Sequence, residues 1–217
     1  MAKWFNGLGV SAFVLHYRLG SNGYHYPTQL MDVQRAIRHV RANASQYGID
    51  PKRIGVIGFS AGGHLSSMAA TLFDEKPAGM TNDSVDQVSA RPDVAVPTYP
   101  VISMIAASSH KGSRKNLLGP NDSDELAKQV STELRVTPQT PPIFLFQTDE
   151  DSVVHGTVTG TDHERTSTIA EQDAGSAVFP IEQAAEGFRT DDQRLGGHAA
   201  ADHGIGGAQC IKEARTH

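Results

Sequence analysis

Cysteine is nearly missing from this sequence, which has a single one, Cys210, among 217 residues. One thiol excludes an internal disulfide and any zinc site built from several cysteines. Long apolar runs are missing too: no segment reaches the roughly 18 residues of a transmembrane helix, and the N-terminus has no apolar run of signal-peptide length. As written, we expect a soluble, cytoplasmic chain with no membrane partner.

A basic surface is also missing. The formal net charge is -5, and the 19 Lys and Arg residues are scattered in runs of at most two. Nucleic acids are bound largely by neutralising their phosphates with clustered Lys and Arg, so this composition excludes them as partners. A small neutral molecule is the favoured partner, and the oligomeric state stays open.

Leucine and aromatic residues are scarce in the last third of the chain. Of 12 leucines, only Leu195 lies in residues 152–217, with two of the 14 aromatic residues, Phe179 and Phe188. Such a segment can bury little apolar area. Since each Å² of buried apolar surface stabilises a fold by about 25 cal/mol, the segment contributes little to stability. We expect one domain over residues 1–217, with a core at 1–151 and a divergent, less ordered tail at 152–217. A reading-frame shift around residues 155–160 would explain the change.

Strand and helix patterns alternate along the first two-thirds of the chain. Apolar, β-branched runs predict strands at 10–17, 53–59, 93–99 and 143–148. Apolar residues spaced by three and four predict a helix over 28–47, with Thr28 as its N-cap and Gly48 as its stop, and another helix after residue 60. Alternation of apolar strands with helices predicts an α/β fold, a mostly parallel sheet with helices on both faces.

The most informative motif is G-x-S-x-G at Gly58-Phe59-Ser60-Ala61-Gly62, placed between a predicted buried strand and a predicted helix. A strand that turns abruptly into a helix forces the serine to a positive φ and exposes its Oγ. We expect Gly58 and Gly62 to be required because a Cβ at either position would collide with neighbouring backbone. Ser60 is then a nucleophile, and the Ala61 N–H is an oxyanion donor.

Around this motif the chain resembles the esterase branch of the α/β-hydrolases, most of all the bacterial acetyl-xylan-esterase-like and feruloyl-esterase-like group, which includes xylanase B-type proteins. The resemblance covers about residues 2–155. It rests on segments of residue types typical of that group: Gly48 to Leu65 around the serine, Tyr17-Arg18-Leu19, Asp32, Tyr99-Pro100-Val101-Ile102, Asn116-Leu117-Leu118-Gly119 and Thr137 to Phe146.

A serine hydroxyl needs a histidine base, and the histidine needs a carboxylate to orient it. In this fold the chain order is Ser, then Asp or Glu, then His, with the acid just after a later strand. Carboxylates follow the predicted strand 143–148 at once. Matched to the D-x-V-V-P ending of the resembled group, the acid is Asp151, with Asp149 as the second choice.

For the base, the resemblance implies a His-Gly-x-Gly near the end of the chain, which His203-Gly204-Ile205-Gly206 fits. His198 is the rival. His64 lies within the predicted helix after Ser60, so we expect it to be a packing neighbour and not the base. No His, Asp and Glu spacing is typical of a metal site, and no cofactor is expected.

The resemblance implies an ester hydrolase acting on small acyl groups, such as acetate on a sugar. Members of the group carry, upstream of the segment resembling Ala2–Leu8, a Gly-rich loop that supplies a second oxyanion donor. Because the sequence starts after that loop, we expect reduced activity; one donor is worth roughly 10²–10³ in rate. The alternatives are a catalytically impaired fragment or binding module, and a serine peptidase of the prolyl-oligopeptidase type.

Overall fold

The computed structural model describes residues 1–80, 83–105 and 109–147 of the chain. Within these residues the helices are α1 (Ala2–Gly7), α2 (Thr28–Ala42), α3 (Ala44–Tyr47), α4 (Ala61–Thr71), α5 (Lys111–Leu118) and α6 (Asp124–Val130), and the strands are β1 (Gly55–Phe59) and β2 (Val94–Thr98). Short 3-10 turns lie at Gly20–Asn22, Gly119–Asn121 and Thr132–Leu134. No helix in the described part of the chain has both the length and the apolar character needed to span a bilayer.

The sheet is parallel, as the alternation of elements predicts. β1 pairs with β2 from Gly55 opposite Val94 to Phe59 opposite Thr98. On the other side of β2, the segment 143–146 also runs parallel, through bridges of Ile143 to Ala95 and of Phe146 to Thr98. The strands predicted at 53–59 and 93–99 are therefore confirmed with shorter bounds. The one predicted at 143–148 forms two bridges, and its Thr148 lies outside the described residues.

The strand predicted at residues 10–17 is wrong. This segment has no regular secondary structure, and Val10 and Val14 are exposed. A β-branched run becomes a strand only when a neighbour pairs with its backbone, and no ladder among the described residues includes it. The residue that follows the segment is fixed to α2, where Asp32 accepts hydrogen bonds from the Arg18 backbone N–H at 2.8 Å and from its guanidinium at 2.6 Å.

The helix predicted over 28–47 is present as two pieces, α2 and α3, which meet at Asn43. Thr28 is already helical and Pro27 occupies the N-cap, so the predicted cap is one residue too late. The predicted stop is confirmed: Gly48 has a φ of 66°, the left-handed conformation that glycine adopts without a steric penalty. The inward side chains of α2 include Leu30, which is fully buried.

Helix α4 is the centre of the packing. It contacts both strands and α2, and its residues from Gly63 to Thr71 are all buried. The short side chains of this helix let it approach the sheet closely. Its buried hydroxyls are satisfied within the helix, because Ser66, Ser67 and Thr71 donate to backbone carbonyls three or four residues earlier. On the opposite face of the sheet, Ile57 is 43% exposed.

Candidate active site at a strand-to-helix turn

Ser60 stands where β1 ends and α4 begins, as the motif predicts. Its φ of 51° and ψ of -116° lie outside the regions that residues with a side chain normally occupy. The residue is exposed, and its backbone N–H is held by the Thr98 carbonyl at 3.0 Å. A strained, exposed serine at the carboxyl edge of a parallel sheet is the geometry that places a nucleophilic hydroxyl in reach of substrate.

The glycines around Ser60 do not share one role. A Cβ on Gly58 would collide with the backbone carbonyl of Gly62 and would lie 2.6 Å from Ser66 Oγ, so the expectation for Gly58 is confirmed. The expectation for Gly62 is wrong, because a Cβ there would meet no atom within 4 Å. Gly62 is instead the residue whose carbonyl excludes a side chain from position 58.

Gly63 also has no room for a side chain, which the sequence does not predict. A Cβ on it would lie 2.9 Å from the Thr98 carbonyl oxygen and 3.0 Å from Pro100 Cβ. The first turn of α4 therefore rests directly on the backbone that follows β2. The pair of glycines at 62 and 63 was the available signal, but the spacing alone does not tell which of them faces the sheet.

Gly58→Ala is expected to destabilise the protein by about 3 kcal/mol or more, since a carbonyl and a buried hydroxyl would both have to move. Gly62→Ala is the matched control. It adds the same methyl group in the same turn but into open space, so stability stays the same or rises by up to about 1 kcal/mol through better helix propensity. Denaturant unfolding followed by circular dichroism measures both, and equal losses in the two variants would contradict the assignment.

Ala61, whose backbone N–H the sequence predicts to be an oxyanion donor, lies directly after Ser60. Ala61 is the first residue of α4, and the first N–H groups of a helix have no acceptor within it. It is exposed beside Ser60, at the end of the helix where the backbone dipole is positive. The role that the sequence predicts for it remains a prediction.

His64 is held as a neutral packing residue. It is 4% exposed, and its Nδ1 lies 2.6 Å from the Val101 carbonyl, so Nδ1 carries the proton. Burial lowers the pKa of His64 to about 4, against the opposing effect of that hydrogen bond. Its Nε2 is buried with no hydrogen-bond partner among the described residues. An imidazole fixed in this way connects α4 to the segment after β2.

Tyr99 is a second strained residue at this edge of the sheet, and the sequence gives no signal for it. Its φ is 35°, although a residue before proline normally adopts an extended conformation. Its ring lies 5.8 Å from the ring of Phe59, the residue before Ser60, and 37% of Tyr99 is exposed. Two non-glycine residues with positive φ thus follow two neighbouring parallel strands.

The predicted acid and base, Asp151 and His203, lie outside the described residues, as do their alternatives Asp149 and His198. The described chain ends at Gln147, one residue past the bridge of Phe146 to Thr98. Gln147 and Ser60 therefore both follow the carboxyl ends of parallel segments of one sheet. In the described part, no group of three His, Cys, Asp or Glu side chains could hold a metal ion.

Comparison with known proteins identifies a family that matches this chain. The BD-FAE family model matches residues 3–161. Endo-1,4-beta-xylanase B of Butyrivibrio fibrisolvens is 40% identical over 155 residues, which are 70% of this chain and 24% of that protein. Acetylxylan esterase of Xylanibacter ruminicola is 32% identical over 192 residues, 87% of this chain and 37% of that protein. The chain thus spans a quarter to little over a third of these curated relatives.

Among solved structures, an acetyl ester-xyloside bifunctional hydrolase from Caldicellulosiruptor lactoaceticus is similar to this chain, with a TM-score of 0.72 and 39% identity. The match covers 87% of this chain and 69% of that one. The likeness is therefore one of sequence and fold together.

Proposed function

Because this chain belongs to the BD-FAE family, we propose that it is a serine carboxylester hydrolase that removes short acyl groups from carbohydrate alcohols. The α/β-hydrolase fold that the sequence predicts is the fold it shares with its solved relatives. The observation that carries the proposal is the conformation of Ser60, whose strained φ is maintained by close packing of Gly58 on one side and Gly63 on the other. Backbone strain of this kind persists only where the surrounding structure holds it, and it is concentrated at active sites.

The reaction proposed is acyl transfer through Ser60. Its Oγ attacks the ester carbonyl while His203 Nε2 takes the hydroxyl proton, and the oxyanion accepts a hydrogen bond from the Ala61 N–H. The proton then passes to the leaving alcohol, and the acyl group stays on Ser60. Water, deprotonated by His203, releases the carboxylic acid in a second half-reaction. Asp151 orients the imidazole and stabilises its charged form.

The substrate class comes from the relatives. An acetylxylan esterase and an acetyl ester-xyloside bifunctional hydrolase are each similar to most of this chain. The net charge of -5 also favours neutral esters over anionic ones. Acetate on a xylose-type alcohol is the substrate that these observations support best.

Labelling with a fluorophosphonate tests this proposal, because the reagent phosphonylates a serine only when a base activates it. Intact-protein mass spectrometry is expected to find one adduct, and peptide mapping is expected to place it on Ser60. Heat-unfolded protein is the control and is expected to stay unlabelled. A folded chain that gains no adduct would contradict the proposal and favour the binding module.

A further inference from the structure

We propose that Tyr99 is a specificity-determining residue whose ring packs against the pyranose ring of the alcohol that carries the acyl group. This inference rests on the proposed function of Ser60. Its starting point is position: Phe59 pairs with Thr98 across β1 and β2, so Ser60 and Tyr99 follow at the same edge of the sheet. The Ser60 N–H donates to the Thr98 carbonyl at 3.0 Å, which ties the two turns together.

The backbone of Tyr99 is held on both sides of its strained φ. Its own N–H donates to the Phe146 carbonyl at 2.6 Å. The next residue, Pro100, packs against Gly63, and the Val101 carbonyl accepts from His64 Nδ1 at 2.6 Å. A positive φ is costly for a tyrosine and persists only when its surroundings determine it fully. The direction of the Tyr99 Cα–Cβ bond, and so the region that its ring can reach, is therefore set before any ligand binds.

The side chain that this backbone presents suits a sugar. Tyr99 is 37% exposed, and the Phe59 ring lies against it at 5.8 Å with an interplanar angle of 48°, so part of its surface is supported and part is open. An aromatic ring with a hydroxyl tip offers an apolar face for the C–H groups of a pyranose and a polar end for its hydroxyls. Ligand sites combine such an apolar surface with a few polar groups.

The test separates binding from hydrolysis. In a Ser60→Ala background, which cannot turn the ligand over, methyl β-xylopyranoside monoacetate is titrated by NMR. Tyr99→Gly removes the ring at a position where glycine accepts the positive φ without strain, so we expect this variant to fold, which its circular dichroism spectrum checks. We expect its Kd to rise by about tenfold, which corresponds to about 1.4 kcal/mol of lost contact with the ring. Tyr99→Phe keeps the ring and is expected to stay within about threefold.

Hydrolysis with Ser60 intact gives the second measurement. For Tyr99→Gly, kcat/KM on the acetylated xyloside is expected to fall by about tenfold, and on vinyl acetate, which has no ring, to change by less than about threefold. An equal loss on both esters would make Tyr99 a structural residue and overturn the proposal, as would unchanged binding in the glycine variant or no binding by the Ser60→Ala parent. If the wild type hydrolysed neither ester but binding still depended on the Tyr99 ring, the proposed esterase function would be wrong and the binding role of Tyr99 would stand.

Discussion

Replacing Ser60 with alanine is expected to lower kcat for p-nitrophenyl acetate by about 10⁴- to 10⁶-fold, close to the rate in buffer. The physical reason is that the acyl-enzyme cannot form without Oγ, and the remaining groups can only bind and polarise the ester. The fold should survive, because Ser60 is exposed and alanine keeps the backbone N–H that donates to the Thr98 carbonyl. Release of p-nitrophenol by the purified variant measures the loss.

The matched control is Ser66→Ala, one turn and a half along the same helix. Its hydroxyl donates to the Gly62 carbonyl at 3.0 Å and is buried, so its loss affects packing and leaves the reacting hydroxyl in place. Turnover by this variant is expected within a few-fold of the wild type, since one neutral hydrogen bond contributes only about 1 kcal/mol to stability. Equal rates in the wild type and in Ser60→Ala would defeat the esterase proposal and leave the binding module standing.

The second large effect concerns the proton acceptor. His203→Ala is expected to lower kcat by about 10⁴-fold or more, because without an imidazole the serine proton has no acceptor near neutral pH. His198→Ala is the natural comparison, since it removes a neighbouring histidine from the same Gly-rich stretch. It is expected to keep turnover within a few-fold. Steady-state kinetics on both variants decide between the two residues.

The outcome that would reassign the base is the reverse order, with His198→Ala inactive and His203→Ala active. Loss in neither variant would mean that no histidine of that stretch takes the proton, and the catalytic assignment would reduce to Ser60 alone. His64 is not a substitute, because its Nε2 is buried away from solvent and burial lowers its pKa to about 4.

The strand-to-helix turn could be predicted from the sequence because one motif and two flanking patterns agree there. Few conformations are open to Ser60 when a G-x-S-x-G motif follows a β-branched run and precedes an amphipathic pattern. Distances between residues across the turn could not be predicted, since they depend on how closely α4 packs against the sheet. For that reason the sequence predicts the close contact at Gly58 correctly but predicts a second one at Gly62, whereas the structure has it at Gly63.

The structure of residues 10–17 and the conformation of Tyr99 depend on residues that are distant in the sequence, and the sequence does not show those contacts. Residues 10–17 have the composition of a strand, but a strand also needs a partner strand, and no ladder among the described residues includes them. The positive φ of Tyr99 arises from constraints supplied by Phe146 and by Gly63 and His64 of α4, two parts of the chain that are far from Tyr99 in sequence. Asp151 and His203 rest on resemblance, and remain predictions.

The short side chains of α4 have a consequence for how this protein could acquire new substrates. Ala69 and Ala70 are fully buried and Gly63 lies against Pro100, so a larger side chain at any of these three positions would displace the helix and with it Ser60. Directed evolution is therefore expected to yield few substitutions at the buried positions of this helix. Diversity would accumulate in the loops that leave the strands, where exposed positions can vary while the nucleophile stays fixed.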